Sequence, residues 1–306
     1  MAYTPPRHPV LPLGGVTMHV DDVKKVCVLG AGAMGAGIAQ VCSQAGYAVA
    51  MRDIEHRFVE AGFKRIRGPL MKRVEKGKMT VDEVEDIVSR IDGTVDMAAA
   101  LVDADLVIEA VFEKMDVKKP VWAEAEAHAT PEAVFASNTS SLSITEMAAA
   151  TKRPDRFVGM HFFNPAPVMK LVEVIRGSET SKATVDLAKA FCAKIGKEPV
   201  EVKESPGFVV NRLLVPMMNE AFNLLMEGVS SAEDIDKAMK LGTNMPMGPF
   251  ELADFTGLDI GLDTMETLFR ETGDPKFRPS PLLRQYVRAG RLGRKSGKGV
   301  FDYSPP

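Results

Sequence analysis

The run Gly30-Ala31-Gly32-Ala33-Met34-Gly35 constrains the fold more than any other feature, because of what stands on either side of it. Before it, Lys25–Leu29 is a short apolar run that reads as a buried parallel strand. After it, Met34–Ala45 places Met34, Ile38, Val41, Cys42 and Ala45 at helical spacing, and Gly46 stands where a helix C-terminal glycine belongs. Ala48–Met51 then reads as a second strand ending near Asp53. The whole is a βαβ unit of about 30 residues. A GxGxxG pattern alone is weak evidence, but between a strand and a helix it is a strong dinucleotide signature. Gly30 permits the tight turn, Gly32 lets a pyrophosphate approach the backbone, and Gly35 lets helix and strand pack closely. The helix N-terminus at Ala33 and Met34 favours the phosphate charge.

Asp53 lies eighteen residues beyond Gly35, at the end of the second strand. A carboxylate there hydrogen-bonds the ribose hydroxyls of an adenosine and repels a 2′-phosphate, so NAD is expected over NADP. Two other readings stay open. Asp53 could be a solvated turn residue, and neighbouring Arg52 could accommodate a 2′-phosphate.

Farther on, Phe58–Gly77 is amphipathic and basic, and Val81–Val88 reads as a helix with Thr80 as N-cap and Glu83 closing a capping box. Leu106–Ala110, Val134–Ala136 and Phe157–Phe163 read as strands. This alternation predicts an α/β fold, a Rossmann-type, doubly wound parallel sheet. The pattern changes near Glu204-Ser205-Pro206-Gly207, a possible hinge. Beyond it Leu213–Met226, Ala232–Met239 and Leu262–Arg270 have helical periods, and little strand signal remains. The last third holds seven of the 18 methionines, which read as core filling. The expected organisation is a flexible extension over 1–22, a Rossmann domain over 23–205 and an all-helical C-terminal domain over 206–306.

Composition narrows the function classes. The net charge of −3 argues against a general nucleic-acid or anionic-membrane binder. No apolar run reaches membrane-spanning length. Cys27, Cys42 and Cys192 are widely spaced, with no zinc-ligand pattern, so no metal is expected and a reducing, cytoplasmic setting is. The proline-rich start resembles neither a signal nor a transit peptide.

A candidate for chemistry lies in His161-Phe-Phe-Asn-Pro-Ala-Pro-Val-Met-Lys-Leu-Val-Glu173. Pro165 and Pro167 interrupt two strand-like runs, so the chain can turn back there. If Phe157–Phe163 and Leu171–Ile175 pair, Glu173 approaches the His161 ring. A carboxylate that accepts one imidazole N–H fixes the tautomer and frees the other nitrogen to take a proton. A histidine in an apolar strand is more often a packed core residue, and that reading stays open on this segment alone.

Taken together, GAGAMGAGIAQ, SNTSSLSITE, HFFNPAPVMKLVEVIRG, SPGFVVNRLL, EDIDKAMKLG and GRKSGKG resemble the 3-hydroxyacyl-CoA dehydrogenase family, nearest its bacterial 3-hydroxybutyryl-CoA branch. The likeness runs from Lys24 to Tyr303. It implies His161 as catalytic base, Glu173 as its supporting carboxylate, and Ser140 and Asn211 as contacts to the reacting oxygens. It implies nicotinamide-side contacts at Glu113, Lys118, Asn138, Asn164 and Lys295. Lys72 and Lys76 fall where the family meets CoA phosphates. They are four apart and share one helix face, which on its own would read as solvated. The chain departs from the family at Asn244-Met245-Pro246, where a histidine is usual, and at Gly299-Val300-Phe301-Asp302-Tyr303, which reads as a packing exchange.

The resemblance implies an NAD-dependent enzyme acting on an acyl-CoA, and a homodimer built through the C-terminal domain. The apolar residues of 213–226 cover nearly every side of that helix, as a buried or inter-subunit helix requires. A central helix enclosed by its own domain is the competing explanation. Two other function classes remain in view. A β-hydroxyacid dehydrogenase of another substrate class would use a lysine as acid/base. A non-catalytic nucleotide-binding module would have no need of His161, Glu173, Ser140 and Asn211 together.

Overall fold

In a computed structural model, which describes residues 18–304, eight strands form one sheet in the order β3-β2-β1-β4-β5-β6-β7-β8. The expected βαβ unit is there: β1 (Lys25–Leu29), α1 (Ala33–Gln44) and β2 (Ala48–Arg52), with β1 and β2 parallel. Gly46 follows the helix with φ 94°, a left-handed position that glycine takes without strain. Next come α2 (His56–Glu75) and α3 (Val81–Ser89). Thr80 and Glu83 close the expected capping box at the start of α3. Then follow β3 (Ile91–Thr94), α4 (Met97–Leu101), β4 (Leu106–Glu109), α5 (Met115–His128), β5 (Val134–Ser137), α6 (Ile144–Ala148) and β6 (Phe157–Phe162). Strands β1 to β6 pair in parallel throughout.

The sheet is not parallel to its end. Residues 163–170 fold the chain back, and β7 (Leu171–Arg176) pairs antiparallel with β6. Helix α7 (Lys182–Lys194) crosses over to β8 (Glu198–Lys203), which is parallel to β7. A short return forces an antiparallel pair, whereas a helical crossover permits a parallel one. The sheet core is apolar on both faces, with Trp122 stacked on Phe135 at 4.9 Å and edge-on to Phe157 at 4.8 Å.

The expected extension over 1–22 lies mostly outside the described residues. Residues 18–22 are not free of the domain, because Met18 and Val20 pack against the sheet core.

After β8 the chain is helical: α8 (Val210–Met226), α9 (Ala232–Thr243), α10 (Pro249–Thr256), α11 (Leu258–Thr272) and α12 (Pro281–Arg288). They enclose a second core of Val215, Met218, Phe222, Phe250, Met265 and Leu268. Each such side chain, fully buried, contributes about 1.5–3 kcal/mol. The GRKSGKG stretch closes on this core: buried Asp254 accepts the N–H groups of Val300 and Phe301, each at 2.9 Å. A Cβ on Gly299 would lie 1.9 Å from Asp254 Oδ1, so only glycine fits there. Val300 and Phe301 pack on the helical core, in keeping with a packing exchange. Met245 is half-buried behind Asn244, the left-handed cap of α9.

Candidate functional site

Register brings the pieces together. Leu29, Glu109 and Ser137 are the last residues of β1, β4 and β5 and lie side by side, and Gly159 of β6 stands next to Ser137 with His161 two residues beyond. Everything that follows those positions therefore emerges on one edge of the sheet. Strand order reverses direction at β1 and β4, and open α/β sheets bind ligands at such a crevice.

The glycine loop lies in that crevice. Gly30 has φ 106°, and a Cβ there would come 2.6 Å from Ala110 O. A Cβ on Gly35 would come 1.9 Å from Gly30 O, so α1 packs on the turn with no room for a side chain. Gly32 is the opposite case: a Cβ would meet nothing within 4 Å. Gly32 is also the N-cap of α1 and makes no side-chain cap, so no side chain of the cap occupies the first N–H groups of the helix, at Ala33 and Met34. An anion is stabilised there. Asp53 Oδ2 accepts the Ala31 N–H at 2.7 Å, and Oδ1 accepts the Ile54 N–H at 2.7 Å. The carboxylate is thus fixed beside the loop, with lone pairs left for ribose hydroxyls. Arg52 is tied by Nε to Val95 O at 3.2 Å. These residues fit a dinucleotide without a 2′-phosphate.

On the far side of the crevice, His161 and Glu173 stand opposite each other in the β6–β7 register. His161 Nδ1 is 2.8 Å from Glu173 Oε2. The two residues are 6% and 1% exposed. Glu173 Oε1 accepts the N–H groups of Val209 and Val210 at 3.0 Å each. Burial alone would raise the Glu173 carboxyl, but hydrogen bonds from His161, Val210 and Val209 outweigh it and hold it below the usual carboxylate range. Phe163 and Phe208 flank the imidazole, with ring centroids at 4.4 Å and 5.7 Å. Among the described residues nothing hydrogen-bonds Nε2, the nitrogen left to exchange a proton.

Helix α8 begins one turn earlier than its periodicity predicts. Its N-terminus has no capping side chain of its own, and Glu173 supplies the acceptor from 36 and 37 positions away. The earlier start puts Asn211 in the first turn, where Nδ2 donates to Ser140 O at 3.2 Å.

Asn138, Ser140, Glu113 and Lys118 form the wall between the two halves. Asn138 Oδ1 accepts the Phe162 N–H at 2.9 Å, tying the 138–140 loop to β6. Glu113 Oε1 accepts from Thr139 Oγ1 at 2.6 Å, the Ser140 N–H at 2.7 Å and Ser140 Oγ at 3.1 Å. Burial would raise the Glu113 carboxyl, but the Lys118 ammonium and these donors hold it below the usual range. Lys118 is paired with two carboxylates. It is 0% exposed, and its Nζ lies 2.6 Å from Glu109 Oε1 and 3.2 Å from Glu113 Oε2. Its ammonium thus bridges the buried Glu109 and the Glu113 carboxylate of the crevice wall. Glu109, which sequence reasoning missed, completes this buried network by accepting from Ser137 Oγ at 2.7 Å. Its one sequence signal is a carboxylate at the end of an apolar strand.

Other expected residues lie apart from this network. Asn164 is exposed on the 163–170 loop. Lys295 is paired with Asp259 at 2.6 Å in the helical part. Lys72 and Lys76 are exposed at the end of α2, with no ion pair among the described residues. On α8 one face is buried, yet Leu213 is 72% exposed, so its own domain does not enclose that helix. Among the described residues no cluster of His, Cys, Asp or Glu could hold a metal, and no helix is long and apolar enough to cross a membrane.

Comparison with known proteins identifies the family and the fold. Residues 25–205 match the 3-hydroxyacyl-CoA dehydrogenase NAD binding domain, and residues 207–303 match the C-terminal domain of the same family. A probable 3-hydroxybutyryl-CoA dehydrogenase of Bacillus subtilis strain 168 is 51% identical over 282 residues, which cover 92% of this chain and 98% of that one. The human mitochondrial hydroxyacyl-coenzyme A dehydrogenase is 44% identical over 287 residues, covering 92% and 91%. The crystal structure of (S)-3-hydroxybutyryl-CoA dehydrogenase from Ralstonia eutropha superposes with a TM-score of 0.88 at 47% identity, covering 92% of this chain and all of that one. The chain belongs to the 3-hydroxyacyl-CoA dehydrogenase family.

Proposed function

We propose that the protein interconverts (S)-3-hydroxybutyryl-CoA and acetoacetyl-CoA with NAD, binding the acyl-CoA between the sheet domain and the helical domain. The observation that carries this reading is the buried His161–Glu173 pair at 2.8 Å, set across the crevice from the glycine loop. When bound, NAD supplies the hydride acceptor.

In the oxidising direction His161 Nε2 takes the proton of the 3-hydroxyl. Glu173 stabilises the imidazolium that forms and keeps Nδ1 protonated. Ser140 Oγ lies 3.1 Å from Glu113 Oε1, and turning its hydroxyl from that carboxylate aims its proton at the 3-oxygen as charge develops there. Asn211 uses one N–H on Ser140 O and has a second for the oxygen on which charge develops. In the reducing direction the same imidazolium returns its proton to the 3-keto oxygen. Lys72 and Lys76 meet the CoA phosphates. The three thiols are buried and unpaired, which suits a reducing compartment, and we assign the protein to the cytoplasm.

The test is a steady-state assay with acetoacetyl-CoA and NADH on the wild type and on His161→Ala. Turnover by the wild type is expected, with a loss of about 10²–10⁴-fold in the variant. Near-normal turnover by His161→Ala removes the assignment of the base.

A further inference from the structure

The 163–170 loop joins His161 to Glu173, and something must hold it. Its Phe163 ring lies 4.4 Å from the imidazole. Its Ala166 and Pro167 lie against α1, where a Cβ on Gly37 would come within 3.2 Å of both. The loop therefore touches the cofactor-binding helix on one side and the candidate base on the other. Its end is fixed by the backbone, since Glu198 N–H donates to Lys170 O at 2.9 Å. Its middle is turned by the Val168 and Met169 N–H groups, which donate to Pro165 O at 2.9 and 3.0 Å, and is tied to the start of β8 by one side chain. Lys197, 6% exposed, donates from Nζ to Ala166 O at 2.5 Å and to Met169 O at 2.8 Å.

Lys197 is an unusual choice for a mere filler. Among the described residues no carboxylate pairs with its ammonium, and the titratable groups that bear on it are the buried thiols of Cys192 and Cys42. Burial pulls its pKa below the usual lysine value. A buried cation without a counter-charge costs stability, and an apolar side chain of similar length avoids that cost. A lysine kept here is explained by where it aims its N–H groups.

We propose that Lys197 is a positioning residue, whose buried ammonium holds the 163–170 loop against α1 and so sets the His161 imidazole relative to the cofactor site. This rests on His161 being the base. Without Lys197 the loop loses its side-chain tie to β8, and Phe163 buttresses the ring less firmly. A small misplacement of a reacting group costs turnover far more than binding.

The experiment compares wild type, Lys197→Met and Lys197→Arg as full-length proteins. Lys197→Met is expected to lower kcat about 10–100-fold, with KM for acetoacetyl-CoA changed less than about 3-fold. Its melting temperature is expected to stay within about 3 °C of wild type or to rise. Lys197→Arg, which keeps charge and donors, is expected to recover part of the loss. Amide exchange at Val168 and Met169 is expected to quicken about 10-fold in Lys197→Met. A lower melting temperature with unchanged kcat, or no change in either, overturns the proposal. Failure of both variants to fold makes Lys197 a residue of the fold and overturns it as well. Absence of turnover in the wild type sinks the proposed function instead, so the two failures are distinguishable.

Discussion

The carboxylate of Glu173 accepts the backbone N–H of Val210 at 3.0 Å, across 37 positions of chain. One oxygen of a sheet residue thus caps the first helix of the other domain, while its second oxygen holds His161. Orientation of the imidazole and attachment of α8 depend on the same group.

Replacing that group separates its two duties. Glu173→Gln keeps an oxygen acceptor for the helix N-terminus but loses the charge, so turnover is expected to fall at least about 10²-fold and stability at neutral pH to fall modestly. Glu173→Ala removes the cap too and is expected to cost a further ~1 kcal/mol of stability. Thermal melts alongside steady-state rates check this. Equal melting temperatures for the two variants rule the capping role out.

Acid stability follows from the same carboxylate. Glu173 and Glu113 both titrate below the usual range in the folded protein, whereas an unfolded glutamate titrates near about 4.3. Their stabilisation is complete above the unfolded value and is lost as pH falls through the folded values. The melting temperature is expected to drop on acidification below about pH 4, and less steeply in Glu173→Gln and Glu113→Gln. Melts recorded between about pH 7 and pH 3 decide it. Parallel curves for wild type and both variants remove these two groups from the account.

Asp53 is expected to set cofactor choice. Asp53→Ala is expected to raise KM for NADH and to increase the NADPH:NADH ratio of kcat/KM, through loss of ribose contacts and of a repelling charge. The variant also releases the Ala31 N–H, which adds to the NADH defect. A wild-type preference for NADPH would point to Arg52 instead.

Lys72 and Lys76 are expected to act on binding. Their joint replacement by alanine is expected to raise KM for the CoA substrate and to leave kcat largely intact. The effect shrinks at high salt, where exposed charges are screened. An unchanged KM at low ionic strength returns both to an ordinary solvated face.

Self-association is expected through the helical domain. Exposed Leu213, Val209, Phe255 and Ile260 leave apolar surface that the domain itself does not cover. A two-fold homodimer through this domain is expected by light scattering at micromolar concentration, and Leu213→Glu is expected to weaken it. A fully active monomer of 33.2 kDa rules the dimer out.

The residues that sequence reads best are those whose partners are local. The glycine loop, the Thr80–Glu83 box and the Gly46 cap each depend on neighbours a few positions away. His161 and Glu173 were legible as a conditional pair, because two apolar runs with a proline-broken return can pair in only a few ways. What escaped is held from afar. Strand β3 is short and polar because it is an edge: only Ile91 is buried, and Gly93 passes so close under Phe63 that a Cβ would lie 2.6 Å from the ring. Strand β8 is the other edge and carries Pro199 and three glutamate or lysine side chains in the open. The start of α8, the Glu109–Lys118 pair and the Lys197 contacts all depend on tertiary partners that no local pattern encodes.

The three cysteines have a practical consequence. Cys27, Cys42 and Cys192 are fully buried, and burial pushes the thiols of Cys27 and Cys192 up to about 12. Thiols of that kind carry almost no thiolate at neutral pH and do not react with maleimides. A cysteine introduced at an exposed position in each domain would therefore take a fluorophore without any native thiol having to be removed. Opening and closing of the crevice could then be followed as a distance, in single molecules, during turnover.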